Sequence, residues 1–150
     1  MNIEKAIKQK KFRSEYEKLV VNILFTSKWI EYRESVLFKK YDLTLPQYNV
    51  LRILKGQYPN AATVNLLIER MIDKSSNASR IVEKLRQKGL VERTTCEDDR
   101  RRVDVIISNK GLEVLKIAGK ELDGLHNEHK ENLSSAEAEK LNELLDKLRS

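Results

Sequence analysis

The stretch DKSSNASRIVEKLRQKGLVERTTCEDDRRRVDVIIS, residues 73–108, decides how the rest of the chain is read. It predicts a helix over 73–88, a stop, a strand, a charged tip and a second strand. Asp73 has the side chain of a helix N-cap, able to accept from free N–H groups of a first turn made of Lys74, Ser75, Ser76 and Asn77. Ala78, Ile81, Val82 and Leu85 recur at helical spacing and form an inward face. Gly89 is placed to take the left-handed conformation that ends a helix. From Val91 the period changes to two: Val103, Val105 and Ile107 alternate with Asp104 and Ile106, as in a strand with one covered face. Between the strands runs Cys96-Glu97-Asp98-Asp99-Arg100-Arg101-Arg102.

At about 100° per residue, Ser76, Ser79, Arg80, Glu83 and Gln87 lie opposite the apolar stripe. The early turns carry short hydroxyls, an amide and an arginine, with no bulky apolar group. Such a surface suits a DNA major groove. Ser and Asn reach base edges or phosphates, an Arg grips guanine through two hydrogen bonds, and free amides at the helix start bind phosphate. A solvated helix face is the plainer alternative, and the arginine-rich tip one strand away favours DNA. The candidate contacts are Lys74, Ser75, Ser76, Asn77, Ser79, Arg80 and Lys84.

Three motifs here, Gly89-Leu90-Val91, Asp99-Arg100-Arg101 and Ile107-Ser108-Asn109-Lys110-Gly111, resemble those of MarR-family winged helix-turn-helix regulators. In that family a recognition helix is followed by Gly-Leu-Val, an Asp-x-Arg wing and a strand ending in Leu-Thr-x-x-x-Gly or a close variant. The third motif is a conservative version of the family's, and the resemblance extends over most of the chain. It implies a mainly α fold with a small β-hairpin wing, in which a winged helix-turn-helix core (about 42–108) lies between N- and C-terminal dimerisation helices (about 7–41 and 109–150). It further implies a homodimeric transcriptional regulator, expected to be a repressor, on a pseudo-palindromic operator. The 73–88 helix would enter the major groove and the 96–102 wing the minor groove. Arg101 is the arginine of Asp-x-Arg expected in the minor groove, with Arg100 and Arg102 on phosphates. The resemblance also implies a small anionic or phenolic effector held between the dimer helices and the winged domain, with Trp29, Tyr32 and Tyr48 as candidate lining. Aromatics at helical spacing more often belong to a core.

At 150 residues the chain reads as a single unit, 1–150, that completes itself by pairing. Apolar residues make up 40%, enough for a core, and the net charge of +6 favours an acidic partner such as nucleic acid or a membrane surface. Residues 1–13 hold five Lys/Arg against one Glu, whereas residues 109–150 hold seven against nine Asp/Glu, so the positive excess lies away from the C-terminal helices. No signal peptide and no apolar run of about 18 residues is present, which leads to the expectation of a cytoplasmic protein without a membrane partner. A single cysteine excludes an internal disulfide.

Residues 7–41 lack proline and glycine and predict one long helix. Phe12, Tyr16, Leu19, Ile23, Thr26, Ile30, Arg33 and Leu37 follow steps of four and three, a seam for another helix, which Val20, Leu24 and Trp29 widen. Thr44 and Gln47 have capping-box spacing around Pro46, and Val50, Leu51, Ile53 and Leu54 predict a buried face ended by Gly56. Thr63 is a cap for a short helix in which Leu66, Leu67 and Met71 point inward; Thr63 and Asn65 would then face the DNA backbone. Ser108 caps a helix interrupted by Gly119 and Gly124, where a bend or a close approach is expected. Ser134 and Glu137 form a capping box ahead of Leu141, Leu144, Leu145 and Leu148.

Other chemistry is weakly supported. Cys96 at the wing reads as a spectator thiol. Asp123, His126 and His129 have a spacing that two metal ligands could share, but histidines in so polar a stretch read as surface residues, so no metal or other cofactor is expected. No nucleophile elbow, phosphate-binding glycine loop or cysteine–histidine pairing points to an enzyme. The rival class is a dimeric winged-helix adaptor that binds protein without specific DNA contact.

Overall fold

Side chains that cap free N–H groups set most of the helix starts in this computed structural model, which describes residues 2–95 and 103–150. In chain order the elements are α1 (Ile3–Ala6), α2 (Glu15–Lys39), α3 (Leu45–Gln57), β1 (Ala62–Thr63), α4 (Val64–Arg70), α5 (Ala78–Gln87), β2 (Val91–Thr95), β3 (Val103–Ile107), α6 (Asn109–Asn127), a 3-10 turn (Glu128–Glu131) and α7 (Ser135–Leu148). Asn2, Ser14, Thr63, Asn77, Ser108 and Ser134 cap α1, α2, α4, α5, α6 and α7 through their side chains. The chain divides into two units, residues 1–45 and 46–150.

In the first unit the long helix starts at Glu15, and not near residue 7 as expected. Ser14 accepts the Glu17 N–H at 3.1 Å, and the Glu17 carboxylate takes the Arg13 N–H in return. Ahead of it, Lys8 sits at φ 56°, outside any right-handed helix. The reason is electrostatic. Lys8, Lys10, Lys11 and Arg13 would have faced the positive end of a helix dipole, with no capping side chain until Ser14. A Lys18–Glu4 ion pair ties α1 to α2, and Ile3 is buried, so the basic N-terminus is anchored at its beginning.

In the second unit α4 and α5 form the helix-turn-helix pair. Helix α5 begins at Ala78, four residues after Lys74, which corrects the expected 73–88 helix. Asp73 accepts from the Ser75 N–H and from the hydroxyls of Ser75 and Ser76, forming a side-chain turn, and Asn77 then caps α5 through the Arg80 N–H. Gly56 does not stop α3, which runs through it to Gln57. A Cβ at Gly56 would meet nothing within 4 Å, and one glycine in a helix costs too little to end it. Helix α6 likewise runs unbroken through Gly119 and Gly124; the expected close approach is found at Gly119, where a Cβ would lie 3.4 Å from the Tyr48 hydroxyl of α3, while Gly124 has nothing within 4 Å.

The described residues form a three-stranded antiparallel sheet in the order β1-β3-β2. Val91 pairs with Ile107 and Thr95 with Val103, while the two-residue β1 adds Ala62 opposite Val105. Val50, Leu51, Leu54, Leu67, Val82, Leu85, Leu90, Val105, Ile107 and Leu115 are buried, so strand and helix stripes contribute to one core.

The end of α5 and the start of α6 are locked together. Gly89, at φ 71°, gives its N–H to the Arg86 carbonyl at 2.9 Å, and Leu90 gives its N–H to Leu85 at 3.0 Å, which closes the helix with a left-handed residue. Ser108 donates its hydroxyl to the Gly89 carbonyl at 2.7 Å and accepts the Gly111 N–H at 3.0 Å. Its own N–H goes to the Leu90 carbonyl at 3.0 Å, and the Lys110 ammonium reaches the Lys88 carbonyl at 2.9 Å. The crossing is so close that a Cβ on Gly111 would lie 2.2 Å from the Leu90 carbonyl oxygen. We therefore expect Gly111→Ala to lower the unfolding free energy by about 1–3 kcal/mol, the cost of forcing a group into packed backbone. Gly56→Ala should raise it by roughly 0.5 kcal/mol. Urea melts of the two variants check both signs.

Candidate nucleic-acid interface

The side chains expected at DNA divide into those already engaged within the protein and those that are exposed. Thr63 joins β1 to α4, where its hydroxyl oxygen accepts the Leu66 N–H at 3.2 Å; Asn65, two residues on, is exposed. In the turn between α4 and α5, the Ile72 N–H donates to Asn49 of α3 at 3.1 Å, which pins the turn to the core. Lys74 caps the C-terminal end of α4, its ammonium donating to the carbonyls of Ile68 and Glu69. Ser75 and Ser76 give their hydroxyl hydrogens to Asp73 at 2.6 and 2.7 Å. In this arrangement those hydroxyls offer lone pairs, which suit the amino groups of cytosine or adenine better than a phosphate. Asn77 is committed to its cap.

Ser79, Arg80 and Lys84 are exposed on α5, beside buried Ala78, Val82 and Leu85. Glu83 occupies the same outward surface and gathers the neighbouring cations. Its carboxylate accepts from Arg86 Nε at 3.0 Å and Nη2 at 2.8 Å, and from Gln87 Nε2 at 3.2 Å. Arg93 of β2 stands 3.9 Å from the other oxygen. The Arg86 guanidinium, with smaller help from Gln87 and Arg93, holds the Glu83 carboxyl down at about 2. This cluster was not foreseen. Glu83 and Gln87 share the outward face of the helix, but no local pattern joins them to Arg93 on the strand beyond its glycine stop. The Glu83–Arg86 spacing of three was the available signal.

The wing-tip residues Cys96, Arg100, Arg101 and Arg102 lie outside the described residues. Trp29 and Tyr32 are exposed on α2, the former with the Arg33 guanidinium 5.0 Å over its ring, while Tyr48 of α3 is buried. The His126 and His129 rings stack with centroids 6.3 Å apart. Among the described residues no group of three or more His, Cys, Asp or Glu side chains is arranged to hold a metal, and no described helix is long and apolar enough to cross a membrane.

Comparison with known proteins agrees with this geometry. The sequence model of the MarR family matches residues 41–102. The transcriptional regulator MgrA of Staphylococcus aureus is 28% identical over 117 residues, which cover 78% of this chain and 77% of MgrA. Among solved structures, an organohalide-sensing RdhR regulator bound to 2,4-dichlorophenol superposes with a TM-score of 0.82 at 21% identity, covering 94% of this chain and 85% of that one. The S. aureus MepR–DNA complex gives 0.78 at 19% identity, covering 92% and 97%.

The Glu83 cluster carries a titration. Its carboxyl carbon, followed by NMR, should titrate at about 2 and not at the ordinary 4.5. Because the folded value is depressed, the ion pairs are present above the ordinary value and are lost only as the pH falls toward 2. Arg86→Gln should raise the midpoint; a midpoint near 4.5 in the unaltered protein would dissolve the cluster.

Proposed function

We propose that this chain is a DNA-binding transcriptional regulator of the MarR family, working as a homodimeric repressor on a pseudo-palindromic operator. Like the relatives it matches, it is a regulator and not an enzyme. The observation that carries the reading is the exposed hydroxyl-and-arginine surface of α5, followed within one strand by the arginine-rich segment 100–102. Helix α5 enters the major groove with Ser79 and Arg80 toward base edges and Lys84 toward phosphate. Thr63 and Asn65, at the start of α4, meet the backbone and set the register. Arg101 enters the minor groove, and Arg100 and Arg102 meet its phosphates. MepR, similar in fold and solved as a complex with DNA, supports DNA as the partner.

Pairing is supported by apolar side chains left uncovered on the terminal helices. On α2, Tyr16, Val20, Leu24, Tyr32 and Val36 are 81%, 51%, 60%, 69% and 52% exposed. They stand at intervals of four, interrupted by Lys28, and so form a ridge that fits the groove of a second helix. Leu141, Leu144 and Leu148 of α7 are also about half exposed. A two-fold pair would set two α5 helices about 34–36 Å apart, one turn of DNA. A small phenolic or anionic effector that binds one dimer geometry better than the other would alter that spacing and release the operator. The dichlorophenol-bound RdhR structure supports a phenol, and Trp29 and Tyr32 are aromatic surfaces for one.

Two measurements test the reading. Fluorescence polarisation against duplexes selected from a random pool should show Arg80→Ala weakening specific binding by about 1–3 kcal/mol, and loss of Arg100 or Arg102 reducing the salt slope by about one unit. An unaltered base preference would take Arg80 out of that role. In sedimentation, the double variant Leu24→Glu/Leu144→Glu should be monomeric and bind the selected duplex far more weakly; a dimer of undiminished affinity would place the pairing surface elsewhere.

A further inference from the structure

Glu83 is an anomaly on a surface meant for a polyanion. It lies among Ser79, Arg80, Lys84 and Arg86 on the DNA-facing helix, and a carboxylate there repels phosphate. It is not an isolated acid. Two Arg86 nitrogens, the Gln87 amide and, from the adjoining strand, Arg93 converge on its two oxygens. The Arg86 pair is bidentate, the strongest form of carboxylate–guanidinium contact. Arg93 and Arg86 remain 43% and 50% exposed as side chains, so both are within reach of solvent while bound to an internal anion.

We propose that Glu83 is a specificity-determining residue that withholds Arg86 and Arg93 from DNA phosphates while bracing the recognition helix against the first wing strand. The inference rests on the regulator reading above and adds a division of labour among its cations. Sequence-independent affinity comes from neutralised phosphates and released counterions. Every arginine free to swing onto the backbone strengthens non-operator binding most, because there no base contact fixes the register and the protein can shift to reach phosphates, and so it lowers the ratio of operator to non-operator affinity. An internal carboxylate cancels the charge of these two arginines without removing their bulk, and leaves Arg80 and Lys84 as the cations presented by α5. The link to Arg93 also keeps α5 and β2 in one register, so that groove-reading and wing-reading positions are presented together.

The test compares the unaltered protein with Glu83→Gln, Glu83→Ala and Glu83→Asp on two duplexes, one selected by the unaltered protein from a random pool and one scrambled to the same composition. Glu83→Gln and Glu83→Ala should bind the scrambled duplex more tightly. Their log–log salt dependence should steepen by about 0.9 for each arginine released onto a phosphate, and the selected-to-scrambled ratio should fall about tenfold, the worth of one phosphate contact at roughly 0.1 M salt gained by the scrambled duplex alone. Glu83→Asp, which keeps the charge, should stay near the unaltered slope. Adding Arg93→Gln to Glu83→Gln should take back about 0.9 of the gained slope. Weaker binding to both duplexes with no steepening would mark Glu83 as merely structural and overturn the proposal. An unchanged slope and ratio would overturn it too. Should the unaltered protein fail to prefer its selected duplex, the regulator reading itself would fall, a result distinct from either.

Discussion

The crossing of Gly89–Leu90 by Ser108–Gly111 is the constraint on which the winged unit depends. Ser108 is shared: its oxygen starts α6 while its hydrogen secures the carbonyl just past the end of α5. Each such bond is worth roughly 0.5–1.5 kcal/mol net, so no single one determines the fold. Their value is geometric. The exit of α5, the base of β3 and the entry of α6 meet within one hydrogen-bond length, and glycine at 111 is what allows the backbones so near. The exit angle of α5 is held by one backbone bond, from the Ser108 N–H to the Leu90 carbonyl, and by the side chains of Ser108 and Lys110 around it.

This also gives physical content to motifs that first served only as a resemblance. Gly89 is the left-handed cap, Leu90 is the buried residue that closes it, and Ser108 to Gly111 is a cap, a lysine clasp and a clearance. Local chemistry of this kind was legible. The caps at Thr63, Ser108 and Ser134, the capping box at Glu137 and the alternation of β3 followed from residue type and spacing alone. Other local signals were present but outcompeted. Ser14 and Glu17 have the spacing of a helix start, overshadowed by an uninterrupted run free of proline and glycine. Asp73 and Asn77 are both good caps, and choosing between them requires knowing that Asp73 is occupied by two serines.

What could not be read were the partners distant in sequence. Asn49 holds a turn 23 residues away, and buried Gln47 accepts from Lys88, 41 residues away. Strand β1 is two residues long, too short for any period, and exists only because β3 has an edge to pair with. The Glu83 cluster belongs to this class, since its strand partner is brought near only by the glycine turn. Residue types told which surface was charged; the fold decided which of those charges are already spent.

That distinction matters for how such a surface meets DNA. Lys74, Ser75, Ser76 and Arg86 are engaged within the protein, so a contact to DNA by any of them would exchange one hydrogen bond for another and contribute little net affinity. Those same bonds keep the turn and the helix face in a single arrangement before DNA arrives, which lowers the entropy lost on binding. On the proposed reading, net electrostatic attraction on α5 would then fall on residues such as Arg80 and Lys84. Were α5 to meet DNA as proposed, the protein would trade raw affinity for shape: much of that surface is satisfied before contact, and a duplex would gain most by matching the groups left over.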